Sequence, residues 1–226
     1  MLTALAAALL LTQAPAQGAA PSPPAAPAAA APAARSTSAE ATALAARVQA
    51  FYDRTRDLTA RFKQTYTYQG FGRKQVSSGK LLVKKPGMMR WDYEKPEPKT
   101  VAVKGSRLVQ LEPEANQAYV DEKFDSTALS AAVTFLIGKG DLVKEFAPSL
   151  DDLGALVLRP RTEDPRVASI ALVVAADGQV NATRVVDGSG NVNEIRFEEV
   201  KRNTGLSDAA FEVKLPSGVH RIAPPG

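Results

Sequence analysis

The spacing of hydrophobic residues changes near the start of the folded part of this chain. Leu44, Val48 and Phe51 recur at intervals of four and three residues, which places them on one apolar stripe of a helix. A threonine and a serine at positions 37 and 38 can cap the start of that helix. We therefore predict a helix that begins at residue 37 or 38 and ends near Arg56.

After this helix the hydrophobic spacing becomes two, the period of a strand with one buried face. In "LTARFKQTYTYQ", Leu58, Ala60 and Phe62 fall on one face, and polar residues fall on the other. Similar short runs, separated by turns that contain glycine or proline, predict eleven strands. They lie near 58–68, 75–84, 88–94, 99–104, 106–111, 117–124, 154–160, 167–175, 179–187, 191–201 and 210–214. Because mainly tight turns join them, we predict an antiparallel meander curled into a barrel or half-barrel.

A second apolar helix interrupts the strands. The stretch "STALSAAVTFLIGKG" predicts a helix over 127–137, with Leu129, Val133 and Leu136 on one face and Gly138 at its end. The two helices can cover the open side of the sheet. The predicted fold is therefore mainly β, an unclosed antiparallel half-barrel of about eleven strands with helices over its concave side.

The N-terminal part of the chain has a different composition. Residues 2–11, "LTALAAALLL", form an apolar run of signal-peptide length, and "APA" at 14–16 offers small residues for cleavage. We predict a signal peptide over 1–16; the alternative is a disordered alanine-rich tail. Residues 17–36, rich in alanine and proline, are predicted to be a disordered, semi-extended linker. The half-barrel domain then covers 37–220, and 221–226 form a tail.

Composition and motifs exclude several classes of function. The 28 Lys and Arg residues only slightly outnumber the 24 Asp and Glu residues, and they are scattered, so we expect no nucleic-acid partner. The chain has no cysteine, and its one histidine, His220, is expected to be a surface residue. Phosphate-binding loops, metalloprotease motifs and nucleophile elbows are also missing. We therefore expect neither an enzyme nor a metal or cofactor site.

One predicted strand has an unusually large apolar face. In "MMRWDYE", Met89, Trp91 and Tyr93 point one way, and the residues between them are largely charged. Such a face is typical of ordinary core packing, and it also fits the wall of an apolar cavity. Alternation alone does not separate these two interpretations.

A lysine lies on the same side of the neighbouring strand. In "GKLLVKK", Leu81, Val83 and Lys85 share a face. An ammonium group in apolar surroundings requires carbonyl or carboxylate oxygens as partners. The alternative is that Lys85 lies at the rim and extends its charged end into water.

The order of several stretches is more specific than any one of them. They are "FKQTYTYQG" at 62–70, "SGKLLVKKPGMMRWDYEKPEPKTVAVKGSRLVQLEPEANQAYV" at 78–120, the apolar helix near 127–137 and "FEVKLPSGV" at 211–219. The most specific part is a Phe-x-Gln strand, a Gly-x-Leu strand that ends in a basic residue and proline, and then Arg-Trp and a proline-bearing turn. Over residues 40–220 the chain resembles the periplasmic outer-membrane lipoprotein carrier family, the LolA family.

This resemblance implies a fold, a function and partners. The fold is an unclosed antiparallel barrel whose helices form a lid over a hydrophobic cavity. Family members accept acylated lipoproteins from an ATP-driven exporter in the inner membrane, shield the acyl chains, and pass the cargo to an acceptor at the outer membrane. The resemblance thus implies a periplasmic carrier without a cofactor, which we expect to be a monomer.

The resemblance also suggests roles for particular residues. The acyl-chain cavity would be lined by Phe62, Leu81, Val83, Met89, Trp91, Tyr93, Val101 and Val103. The lid would use Leu44, Val48, Phe51, Leu129, Val133 and Leu136. In much of the family an arginine before the proline ties the lid to backbone carbonyls, and here that position is Lys85. Lysine has rotatable donors in place of a planar fork, so we expect a looser or differently arranged latch.

Two other functions suit the same architecture. One is the lipid-anchored outer-membrane acceptor, but no cysteine follows the apolar N-terminal run to carry the anchor. The other is a half-barrel module for envelope regulation that binds a peptide or a protein in place of an acyl chain. Displacement of an apolar dye by acylated but not by unacylated peptide would separate a carrier from such a module.

Overall fold

The computed structural model describes residues 33–125 and 140–224. The predicted signal peptide, most of the linker and the helix predicted over 127–137 lie outside the described residues. The helices are α1 (Ala33–Asp53), α2 (Leu142–Glu145) and two short 3-10 helices at Gln69–Phe71 and Asp208–Phe211. The strands are β1 (Asp57–Tyr68), β2 (Arg73–Lys84), β3 (Met88–Lys95), β4 (Lys99–Lys104), β5 (Arg107–Glu112), β6 (Gln117–Asp121), β7 (Phe146–Leu150), β8 (Leu156–Pro160), β9 (Ser169–Val174), β10 (Val180–Val186), β11 (Val192–Arg202) and β12 (His220–Ile222).

All the described strands belong to one open sheet. Their order is β12-β6-β5-β4-β3-β2-β1-β11-β10-β9-β8-β7. Neighbouring strands are antiparallel except for β12, which pairs with β6 in parallel. β12 and β7 lie at the two ends of the order, so the sheet is not closed. This confirms the predicted unclosed, mainly β fold, with twelve strands in place of eleven.

Two predicted elements need correction, and two strands were not predicted. The strand predicted over 210–214 is wrong, because this region contains the 3-10 helix Asp208–Phe211 and no strand. Strands β7 and β12 were not predicted; β7 is an edge strand, where a proline such as Pro148 is tolerated. The first helix starts at Ala33, inside the predicted linker, because alanine and arginine favour helix, and it ends at Asp53.

One face of the sheet, which we call the inner face, packs with α1 into a continuous hydrophobic core. Helix α1 lies against β7, β8 and α2. Its buried stripe consists of Ala41, Ala45, Val48 and Phe51, none more than 1% exposed. The sheet contributes the alternate residues of its strands, among them Leu58, Ala60 and Phe62 of β1, as their period of two predicts.

The opposite, outer face of β3 and β4 is covered by residues 204–219, which we call the C-terminal segment. The 3-10 helix of this segment lies against both strands. Phe211 is 2% exposed, and Met88 and Ala102 on the outer face are also buried. Arg90, which alternation places on this face, donates hydrogen bonds of 3.1 Å to the carbonyl oxygens of Ala210 and Glu212. The outer face thus has a small core of its own.

Candidate functional site

The structure brings the eight residues of the predicted cavity together on the inner face of β1–β4. None of them is more than 5% exposed: they are Phe62, Leu81, Val83, Met89, Trp91, Tyr93, Val101 and Val103. Leu81 pairs across the strands with Trp91, and Trp91 pairs with Val101, so these three side chains form one row. The result is an unbroken apolar surface four strands wide.

Aromatic rings form the centre of this surface. The ring centroid of Phe62 lies 4.8 Å from that of Trp91 and 5.1 Å from that of Tyr93, both in edge-to-face contact. Phe62 pairs across the strands with Gly79, whose missing side chain leaves room for the ring. The aromatic packing therefore depends on a glycine in the neighbouring strand.

Helix α1 supplies the described part of the predicted lid. Val48 and Phe51 belong to the same buried cluster as the apolar surface, and Leu44 packs against that cluster with partial exposure. The predicted lid residues Leu129, Val133 and Leu136 lie outside the described residues. The apolar surface and the buried residues of α1 thus belong to one core, in which α1 itself lies against β7, β8 and α2.

A small pocket remains beside Lys85. Its volume is about 20 Å³, enough for about one water molecule. It is lined by Tyr52, Thr55, Arg56, Asp57, Leu58, Ala60, Leu81, Val83, Lys85, Val180, Phe197 and Val200. An acyl chain needs far more room than this pocket offers.

Lys85 holds the last turn of α1. Its Nζ donates a hydrogen bond of 2.6 Å to the carbonyl oxygen of Tyr52, and its backbone N–H donates one of 2.8 Å to the carbonyl oxygen of Arg56. Carbonyls at a helix C-terminus lack partners within the helix and attract positive charge. Burial lowers the pKa of Lys85, although Asp53 acts in the opposite direction. Lys85 therefore contacts the helix and does not extend into water as the alternative proposed.

Three further contacts position α1, and none was predicted from the sequence. Arg47 donates to the carbonyl oxygen of Ala176 at 3.4 Å, and the side-chain oxygen of Gln49 accepts from the Leu142 N–H at 3.0 Å. The turn between β9 and β10 touches the helix at Gly178, where φ is +98° and a Cβ would lie 2.6 Å from the Arg47 carbonyl oxygen. A few polar contacts thus support the apolar packing of this helix.

Replacing Lys85 with methionine should loosen the end of α1. The side chain keeps its apolar length but loses the bond to Tyr52, which we expect to cost about 1 kcal/mol, or about fivefold faster hydrogen exchange in the last turn of α1. Lys85→Arg is the control, because arginine can still donate to the carbonyl. Unchanged exchange in Lys85→Met would contradict a latch at this position.

A second lysine, Lys99, lies at the other end of the apolar surface. Its Nζ is 4.5 Å from the ring centroid of Tyr93, and Lys99 is 5% exposed. Burial lowers the pKa of Lys99 to about 8, although Glu112 and Glu97 act in the opposite direction. Sequence analysis missed this residue, although the alternation of "KTVAVK" places Lys99 on the face of Val101 and Val103. The apolar surface is therefore bounded by a positive charge at each end.

The described residues contain neither a candidate metal site nor a candidate membrane-spanning helix. Within residues 33–125 and 140–224, no group of three or more His, Cys, Asp or Glu side chains could hold a metal ion. In the same part of the chain, no helix has the length and apolar character needed to cross a membrane.

Comparison with known proteins places this geometry in a family. The model of the family described as outer membrane lipoprotein carrier protein LolA matches residues 53–214. The outer-membrane lipoprotein carrier protein of Pseudomonas paraeruginosa is 30% identical over 189 residues, which cover 81% of this chain and 89% of that protein. The carrier protein of Azotobacter vinelandii is 31% identical over 186 residues, which cover 78% of this chain and 86% of that protein.

The chain is also similar to a solved structure. The crystal structure of a LolA superfamily protein from Nitrosomonas europaea aligns with a TM-score of 0.42 at 11% identity, covering 76% of this chain and 97% of that one. The family match spans well over half of the chain, and the relatives are matched over most of their length. The chain therefore belongs to the outer membrane lipoprotein carrier protein family.

Proposed function

We propose that this protein is a periplasmic carrier that holds the acyl chains of lipoproteins between α1 and the inner face of its sheet. The main support is the apolar surface of β1–β4, which includes Phe62, Met89 and Trp91 and lies with α1 in one buried core. A surface of this width can accept long hydrocarbon chains once the helix moves. The family assignment supports lipoprotein as the cargo.

The apolar contacts already present at the site would limit the affinity of such a carrier for acyl chains. A chain of about 16 carbons, buried at about 0.8 kcal/mol per methylene group, would gain about 12 kcal/mol. Two or three chains bound in an empty cavity would exceed the practical limit of affinity, and the cargo could not be released. Here an incoming chain must replace the contacts that Val48 and Phe51 already make with the buried cluster. That exchange offsets part of the gain and keeps binding reversible.

The proposal includes a route for the cargo. The protein would take acylated lipoproteins from an ATP-driven exporter in the inner membrane and pass them to an acceptor at the outer membrane. It would act in the periplasm, as a monomer, and without a cofactor or a catalytic step. The family to which the chain belongs supports this choice of partners.

The direct test is a release experiment. Spheroplasts that retain newly made lipoproteins in their inner membrane are incubated with the purified protein, and the supernatant is assayed for acylated protein. We expect release as a soluble one-to-one complex. A known carrier, added in parallel, shows that the exporter is active. Failure of this protein to release lipoprotein under those conditions would contradict the proposal.

A second measurement separates acyl chains from peptide as the ligand. An environment-sensitive apolar dye is bound to the protein and then displaced with a synthetic lipopeptide or with the same peptide lacking acyl chains. For a carrier, we expect the lipopeptide to displace the dye and the peptide without acyl chains to leave it bound. Equal displacement by both peptides would favour the peptide-binding module.

A further inference from the structure

The indole nitrogen of Trp91 differs from the other buried polar side-chain atoms of the described residues. Trp91 Nε1 is the one such atom that has no hydrogen-bond partner in this part of the chain. The side chain is 2% exposed, so bulk solvent does not reach it. Buried polar groups in native proteins are nearly always paired, and an exception requires an explanation.

The described neighbours of this indole leave its donor unpaired. Phe62 and Tyr93 present their rings, with centroids 4.8 Å and 6.3 Å from that of Trp91. Leu81 and Val101 flank Trp91 on the adjacent strands. The Tyr93 side chain is hydrogen-bonded to Gln64. A ring face is at best a weak acceptor for an N–H group.

We propose that the Trp91 N–H is a binding site for a carbonyl oxygen of the bound acyl group. This inference rests on the proposed function, in which acyl chains bind on the inner face that contains Trp91. The polar atoms at the head of an acyl chain are its ester or amide oxygens, and a carbonyl oxygen is a good acceptor. Binding of an acyl group would therefore give the Trp91 N–H the hydrogen-bond partner that it lacks in this structure.

The two lysines of the site are less suited to this role. The Lys85 ammonium already donates to the Tyr52 carbonyl oxygen, and the Lys99 ammonium lies against the Tyr93 ring. Trp91 carries a neutral donor, so a carbonyl can approach it without separating an existing pair. A fixed hydrogen-bond donor at this position would also determine how deeply the acyl chain lies on the apolar surface.

A consequence for specificity follows from this pairing. An ester-linked chain offers a carbonyl oxygen, whereas an ether-linked chain of equal length offers only a weaker ether oxygen. The protein should therefore distinguish acyl from alkyl lipids, although their hydrocarbon parts are the same. We expect about tenfold tighter binding of the ester form, the effect of one net hydrogen bond.

The test uses two synthetic peptides that begin with S-glycerylcysteine. One carries two ester-linked palmitoyl chains and the other carries two ether-linked hexadecyl chains. Trp91 is the only tryptophan of the chain, so the nitrogen-15-labelled full protein gives one indole N–H signal. We expect tighter binding of the ester peptide and a downfield shift of the indole proton with that peptide alone.

Two variants separate the donor from the aromatic surface. Trp91→Phe keeps a ring but removes the donor, and we expect it to bind both peptides equally. Tyr68→Phe removes a hydroxyl group at the end of β1, at a residue that is not one of the eight of the apolar surface, and we expect it to keep the tenfold preference. Retention of the preference by a folded Trp91→Phe variant would overturn the inference.

The same data distinguish failure of the inference from failure of the carrier function. If wild-type protein binds both peptides with equal affinity and the indole proton does not shift, Trp91 is not the carbonyl site, and the carrier proposal stands. If neither peptide binds, both proposals are overturned. The indole signal of the wild-type protein decides the question even if Trp91→Phe does not fold.

Discussion

Replacing Phe211 with alanine should lower the free energy of unfolding by about 3–5 kcal/mol, the usual cost of truncating a buried phenylalanine. Phe211 is 2% exposed and belongs to the C-terminal segment on the outer face of β3 and β4. Its loss would leave a cavity above Met88 and Ala102, which are buried on that face. Urea unfolding measures this effect through the midpoint of the transition.

Phe71 provides the matched control for this experiment. It is the same residue type, but it lies in the turn between β1 and β2 and is 89% exposed. Phe71→Ala should change the free energy of unfolding by no more than about 0.5 kcal/mol. Similar midpoints for the two variants would show that the C-terminal segment is not part of the cooperative fold.

Replacing Gly79 with alanine should destabilise the protein by about 3 kcal/mol or more, because the inner face leaves no room for a methyl group. A Cβ at this position would clash with the carbonyl oxygen of Asp92 and would lie 2.9 Å from a ring carbon of Phe62. Backbone atoms of a central strand cannot easily move. We expect a lower unfolding midpoint and a disturbed environment of the neighbouring Trp91, visible in its fluorescence.

Gly70→Ala is the control for the glycine variant. Gly70 lies in the turn after β1, and a Cβ there would meet no heavy atom within 4 Å. The substitution should be neutral, or stabilising by about 0.4–1 kcal/mol through a less flexible unfolded chain. Wild-type stability in Gly79→Ala would contradict the close packing of β2 on β3.

The residues of the inner face were largely predictable because the alternation of apolar and polar residues can be read within each strand. Met89, Trp91 and Tyr93 alternate with polar residues, and a period of two fixes the side of the sheet without any knowledge of strand order. The same alternation placed Arg90 on the outer face. It also places Lys99 on the inner face, but alternation does not show that this residue at the start of a strand is buried.

The outer core was not predictable in the same way. Phe211 lies in the stretch that alternation wrongly predicts to be a strand over 210–214, and its burial depends on strands that lie more than 100 residues earlier in the chain. Strand β12 was not predicted because it also depends on a distant part of the chain: its three residues pair with β6. The hydrogen-bond partner of Lys85, Tyr52, also comes from another element, so only the need for an oxygen was predictable.

The strand order has a consequence for how the chain reaches its fold. Strands β1–β6 form one meander and β7–β11 form another, and both use pairings between strands that are neighbours in sequence. The two meanders join only through β1 and β11, where Leu58 pairs with Arg202. Such distant pairing carries a large entropic cost of loop closure and is slow to form. The pocket beside Lys85 is lined by Leu58 from one meander and Phe197 from the other, so we expect it to be among the last features to form during folding.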